Sequence, residues 1–103
     1  VFQPHRYSRV KSLKNEFASS FKSSDTVVLC PVYSAGEKIK YNFNQDNFSK
    51  LISKKSKTQI INIKNQKELK SYFKKNLLED EMIICMGAGS ISNWIREIGD
   101  ELK

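Results

Sequence analysis

Apolar residues along this chain alternate between two periods. Val10, Leu13, Phe17 and Phe21 fall three and four apart, as on one face of a helix, whereas residues 26–30 form a short β-branched run that predicts a strand. Phe48, Leu51 and Ile52 restore the helical period, with Asp46 as the expected N-cap, and residues 59–63 are strand-like again. Asn65 and Glu68 make a capping-box pattern ahead of the stripe Leu69, Tyr72, Phe73 and Leu77. Residues 81–86 are apolar without alternation, which predicts a strand covered on both faces. Ile91, Trp94, Ile95, Ile98 and Leu102 give the cleanest helical stripe, weakened by Gly99 only in its last turn. With a short strand at residues 1–3 in front, the order is that of an α/β domain on a mostly parallel sheet.

Length and composition narrow this picture. A chain of 103 residues and 11.9 kDa makes one domain, and it carries no internal repeat or low-complexity linker. It has no apolar run long enough to span a bilayer and no signal-peptide pattern, so neither a transmembrane segment nor a signal peptide is expected, and the expected location is the cytoplasm. It opens on Val1, so we expect a fragment whose first strand is shortened, with a weaker sheet and a mobile 1–9 segment. Cys30 and Cys85 sit in apolar runs and are expected as buried thiols in a reducing compartment; with one His and no C-x-x-C spacing, no metal site is expected.

The net charge of +7 suits an anionic partner, and charge alone supports a basic nucleic-acid-binding module as an alternative. The lysines at 50, 54, 55 and 57 and at 64, 67, 70, 74 and 75, however, fall on outward faces of amphipathic patterns with no aromatic residues among them. They read as solvating faces, so neither nucleic acid nor a membrane is expected as a partner.

Candidate chemistry lies where an open α/β sheet binds its ligands, at the carboxyl ends of the strands. Residues 4–9, 31–45 and 87–90 fall there. The first holds the only His and two of the three Arg, in Phe2-Gln3-Pro4-His5-Arg6-Tyr7-Ser8-Arg9; a planar guanidinium suits bidentate recognition of a carboxylate. His5 is either a proton acceptor or a structural hydrogen-bonding residue. In the second, Tyr33 and Glu37 offer a hydroxyl and a carboxylate, Gly36 permits a sharp turn, and Asn42 and Asn44 tolerate positive φ. The third, Met86-Gly87-Ala88-Gly89-Ser90-Ile91, is a strand-to-helix turn whose backbone N–H groups can receive an anion, although it completes no G-x-G-x-x-G pattern. No P-loop sequence occurs anywhere in the chain.

In this order and spacing the three segments resemble the C-terminal domain of the Mur ligases over nearly all 103 residues. The segment from Phe2 to Arg9 looks like that family's signature, Val32-Tyr33-Ser34-Ala35-Gly36-Glu37 like its V-Y-A-A-G-E segment with Ser34 in place of Ala, and Met86-Gly87-Ala88-Gly89 like its closing loop. The resemblance implies a Rossmann-like three-layer domain with a mostly parallel sheet. It also implies one lobe of an ATP-dependent ligase that activates UDP-N-acetylmuramate as an acyl phosphate for attack by L-alanine, in peptidoglycan precursor synthesis. ATP and Mg2+ would be held mainly by a central domain, and the UDP-sugar by an N-terminal one, neither of which is in this chain; the lobe alone would be inactive. On the family pattern His5, Arg6 and Arg9 line the L-alanine pocket, with His5 as the catalytic candidate, and Tyr33, Glu37, Gly87, Ala88, Gly89 and Ser90 complete the substrate-binding set. A related ligase that recycles murein peptides has the same fold, and the match around His5 argues against it.

Overall fold

The structure is a computed structural model of the chain that describes residues 1–38, 43–78, 81–87 and 89–102. Helix α1 (Tyr7–Ala18) leads into strand β1 (Thr26–Leu29), followed by α2 (Gln45–Ser56), β2 (Gln59–Asn62), α3 (Gln66–Asn76) and α4 (Ile91–Leu102). Strands β1 and β2 pair in parallel, Thr26 opposite Gln59 and Leu29 opposite Asn62. Phe2 forms parallel bridges to Leu29 on one side and to Met86 on the other. The strand-like segments therefore lie side by side, with residues 81–86 outermost, then 1–3, β1 and β2.

Alternation along these segments sends side chains to two separate cores, which makes the domain three-layered. Phe2, Val27 and Leu29 pack with Val10, Ala18 and Phe21 and with Phe48 and Ile52 of α2. Val28, Cys30 and Ile63 pack on the other face with Leu69 and Phe73 of α3 and Ile91 and Ile98 of α4. Trp94 and Ile95 pack half-buried at the margin of this second core. The lysines expected to be solvated are exposed, except the half-buried Lys70, which pairs with Glu101 across α3 and α4.

The helix boundaries follow local chemistry, in places against expectation. α2 is capped by Asn44, whose side chain accepts the Asn47 N–H, and Asp46 lies inside the first turn; Asn44 is extended at φ −125°, not left-handed. Asn65 caps α3 as expected, accepting the Glu68 N–H, while the Glu68 carboxylate reaches the N–H of Lys64. α1 stops at Ala18 with a non-helical Leu13, so Leu13 is exposed and Phe21 enters the core from the turn beyond. Leu77 likewise lies past the end of α3 and is exposed. Asn42 falls outside the described residues.

The largest correction concerns residues 81–86. Only Met86 bridges a neighbour, and Met82 is 85% and Ile84 62% exposed rather than covered on both faces. Cys85, expected buried, is exposed with them; Cys30 is buried, and burial pushes its thiol up to about 12. The physical reason is a missing neighbour: a β-branched run becomes a strand only where another strand takes its main-chain groups.

Candidate functional site

Backbone pairing carries residues 2–6 to the carboxyl end of the sheet. Phe2 N–H donates to Val28 O and Phe2 O accepts from Cys30 N–H; Gln3 N–H donates to Met86 O. Beyond β1 the same track continues into the following loop, where Tyr33 N–H donates to Pro4 O and Arg6 N–H to Tyr33 O at 2.7 Å. His5 thus lies beside Tyr33, and their rings stack with centroids 5.7 Å apart at 18°. On another side Tyr33 presses on the third segment: a Cβ built on Gly89 would stand 2.3 Å from Tyr33 Cγ. Glycine is required at 89 because an aromatic ring occupies the space a side chain would need.

The turn after Tyr33 delivers Glu37 to the same end. Ala35 and Gly36 both take positive φ, 52° and 87°, and Glu37 N–H closes the turn on Ser34 O, so Gly36 makes the expected sharp turn. Glu37 Oε1 accepts the N–H of Ser8 at 3.2 Å in the first turn of α1. Hydrogen bonding from the Ser8 side chain outweighs desolvation and, with the Ser8 and Tyr7 N–H groups and the charge of Arg6, holds the Glu37 carboxyl below its usual value. At neutral pH Glu37 is an anion on a helix start beside a guanidinium.

Arg6 and Arg9 are exposed. Arg6 caps α1 with φ 68° and ψ 131°, a conformation that costs a non-glycine residue on the order of 1–3 kcal/mol. It is held by its own N–H on Tyr33 O and by Val10 N–H on Arg6 O.

Gln3 is the residue whose role the sequence did not reveal. It is buried, with Nε2 donating to Ser90 Oγ and Oε1 accepting the Ile91 N–H, both at 3.0 Å. One amide therefore fastens the leading segment to the start of α4 and takes the Ile91 N–H of that helix. Gly87 is packed into the same joint, where an added Cβ would meet Ile91 Cγ2 at 2.6 Å and Gln3 Cβ at 3.1 Å. A polar side chain within a strand that feeds two cores was the available signal, since a buried amide must find partners for both halves.

The structure therefore brings His5, Tyr33, Glu37, Gly87, Gly89 and Ser90 to one end of the sheet, with Arg6 beside Glu37 and Arg9 one turn of α1 further on; Ala88 lies outside the described residues. Among the described residues no three His, Cys, Asp or Glu side chains cluster to hold a metal ion.

No protein-family model matches the chain. A UDP-N-acetylmuramate–L-alanine ligase of Pelagibacter ubique is 47% identical over 98 residues, which are 95% of this chain and 21% of that protein. The chain is homologous to one segment of such ligases. A ligase of the same name from Fusobacterium nucleatum is 38% identical over 104 residues, 100% of this chain and 21% of its own length. One from Prochlorococcus marinus is 39% identical over 93 residues, 89% of this chain and 19% of its own length. The chain thus spans about a fifth of the ligases it matches. The Fusobacterium ligase aligns with the whole chain, so the three converging segments all lie within the homologous stretch. No described helix is long and apolar enough to cross a membrane.

Proposed function

We propose that this chain is the C-terminal, amino-acid-binding lobe of a ligase that joins L-alanine to UDP-N-acetylmuramate in peptidoglycan precursor synthesis, a cytoplasmic reaction. The observation that carries this reading is the convergence of the three segments, which sets Arg6, a stacked His5 and an anionic Glu37 at one strand end.

L-Alanine is a small zwitterion, and the site offers both signs of charge. In this reading Arg6, with Arg9 nearby, pairs with the alanine carboxylate through its guanidinium fork. Glu37 keeps Arg6 oriented, and its negative charge favours an ammonium close by. Peptide-bond formation needs the amine neutral and in register with the activated muramate carboxyl; His5, its ring fixed by Tyr33, accepts the ammonium proton. The nitrogen lone pair then attacks the acyl carbon, the phosphate of the acyl phosphate leaves with the bonding electrons, and the second nitrogen proton passes to the departing phosphate as the amide forms. Holding the two reactants in line supplies much of the acceleration, and cationic groups offset the negative charge that develops on the oxygen of the tetrahedral intermediate.

ATP and Mg2+ do not fit the donor set of this chain, which has no P-loop sequence and no clustered carboxylates among its described residues. They belong to other parts of the enzyme, and the lobe alone is inactive. The test is kinetic: in the full enzyme, Arg6→Ala should raise the KM for L-alanine at least about 10-fold while the KM for ATP changes less than about 2-fold. Equal effects on the two would overturn the assignment.

A further inference from the structure

Gln3 holds a place the fold did not need to make polar. Side chains alternate along residues 1–3, so Phe2 enters the first core while Val1 packs against the second, where Ile91 is buried. Gln3 shares the face of Val1 and is buried there against Ile91. An apolar side chain at this position meets apolar neighbours at no polar cost, whereas a buried amide must find partners for both of its ends.

The amide finds them in a group that has a local alternative. Ser90 stands directly before α4, and a serine there ordinarily caps its own helix with its hydroxyl. Here that hydroxyl accepts from Gln3 Nε2, and Gln3 Oε1 accepts the Ile91 N–H. The start of α4 is thus fixed by a residue 88 positions earlier than Ile91, on the segment that leads to His5 and Arg6.

Those two bonds close a ring of contacts around the site. From Gln3 the chain passes to His5 through Pro4, which is fully buried, has the fixed φ of its ring, and accepts the Tyr33 N–H on its carbonyl. The His5 ring stacks on Tyr33, the Tyr33 ring fills the space at Gly89, and Gly89 adjoins Ser90, which returns to Gln3. His5 is therefore held twice by one circuit, through its own backbone and through the face of Tyr33. The carbonyls of Gly89 and Ser90 are used by α4 itself, accepting the Ser92 hydroxyl and the Trp94 N–H.

We infer that Gln3 is a positioning residue for His5, and that Gly87, Gly89 and Ser90 form a wall of the site locked by Gln3 rather than contacts to substrate. Gly87 makes room for Ile91 and Gln3, Gly89 makes room for the Tyr33 ring, and Ser90 carries the lock. The inference rests on the reading of the chain as the amino-acid-binding lobe, in which His5 accepts the ammonium proton.

A double-substitution cycle in the full-length ligase, read by steady-state kinetics, tests this. Gln3→Met should lower kcat/KM for L-alanine at least about 10-fold, chiefly through kcat because the displaced imidazole loses its line to the amine, while the KM for ATP changes less than about 2-fold. Ser90→Ala breaks the same tie and should lower it about 3-fold or more, and the double variant should match Gln3→Met alone to within about 2-fold. Gln3→Glu keeps both bonds whether ionised or protonated, since its carboxyl accepts the Ile91 N–H and either accepts from or donates to the Ser90 hydroxyl; kcat/KM should stay within about 3-fold of the unmodified enzyme. Losses that multiply in the double variant overturn the inference, because Ser90 then meets the substrate independently. An unaffected Gln3→Met, a loss confined to KM, or a Gln3→Glu as poor as Gln3→Met overturns it too. If Gln3→Met does not fold, the His5 imidazole proton shifts of Ser90→Ala decide in its place: they should move from the values set by the Tyr33 ring, and unchanged shifts overturn the inference. The ligase reading fails separately, through equal effects of Arg6→Ala on the two KM values, a test that involves neither Gln3 nor Ser90.

Discussion

At the carboxyl ends of the strands, each segment is tied to another by something other than its own pattern. Gln3 binds Ser90 and the Ile91 N–H, Ser8 binds Glu37, and Tyr33 packs between His5 and Gly89. At the amino ends a cleft separates β1 from residues 82–84, and the apolar residues Met82 and Ile84 face water. The difference teaches that an apolar run is only an offer of a strand. Residues 82–86 are the more apolar run, yet it is residues 59–62, with Gln59 and Asn62 at their ends, that find a neighbour along their whole length.

If the strand-tip end is rigid because of Gln3, then Gln3→Met is the change that breaks the contrast most. It keeps volume but strands a buried Ile91 N–H and unfastens Ser90, and should cost about 1–3 kcal/mol in urea unfolding. A loss below about 0.5 kcal/mol would show that the joint is held by packing alone. Arg6→Gly should act oppositely. It relieves the positive φ at the cap and should raise stability by about 1 kcal/mol, read as a melting temperature higher by roughly 4–8 °C, while removing the guanidinium from the site. Stability gained and binding lost together would mark Arg6 as a residue kept strained for its function. Met82→Ser, at the open end, should change unfolding by no more than about 0.5 kcal/mol, since Met82 is 85% exposed.

Much of the fold was legible from periodicity. The strands expected at residues 26–30 and 59–63 appear as Thr26–Leu29 and Gln59–Asn62, and the α3 cap at Asn65 and the buried faces of α2 and α4 lie where spacing placed them. Helix ends were less legible, because Asn44 and Asp46 are both good caps and backbone direction chooses between them. The strand expected at 81–86 misled because burial on both faces is set by neighbours, not by the run itself. At the site, residue types marked three segments, but sequence could not show that Tyr33 sits between His5 and Gly89, nor that Gln3 joins the first segment to the third. Those contacts span 28, 56 and 87 residues of chain, and only the sheet register brings them together.

The convergence of the three segments is measured most directly by proton NMR distances around one ring. Cross-peaks are expected from the Tyr33 ring protons both to the His5 imidazole protons and to the Gly89 α-protons. If Tyr33 shows contacts to neither, with its ring free in solvent, the three segments do not form one site and the functional reading built on them is contradicted.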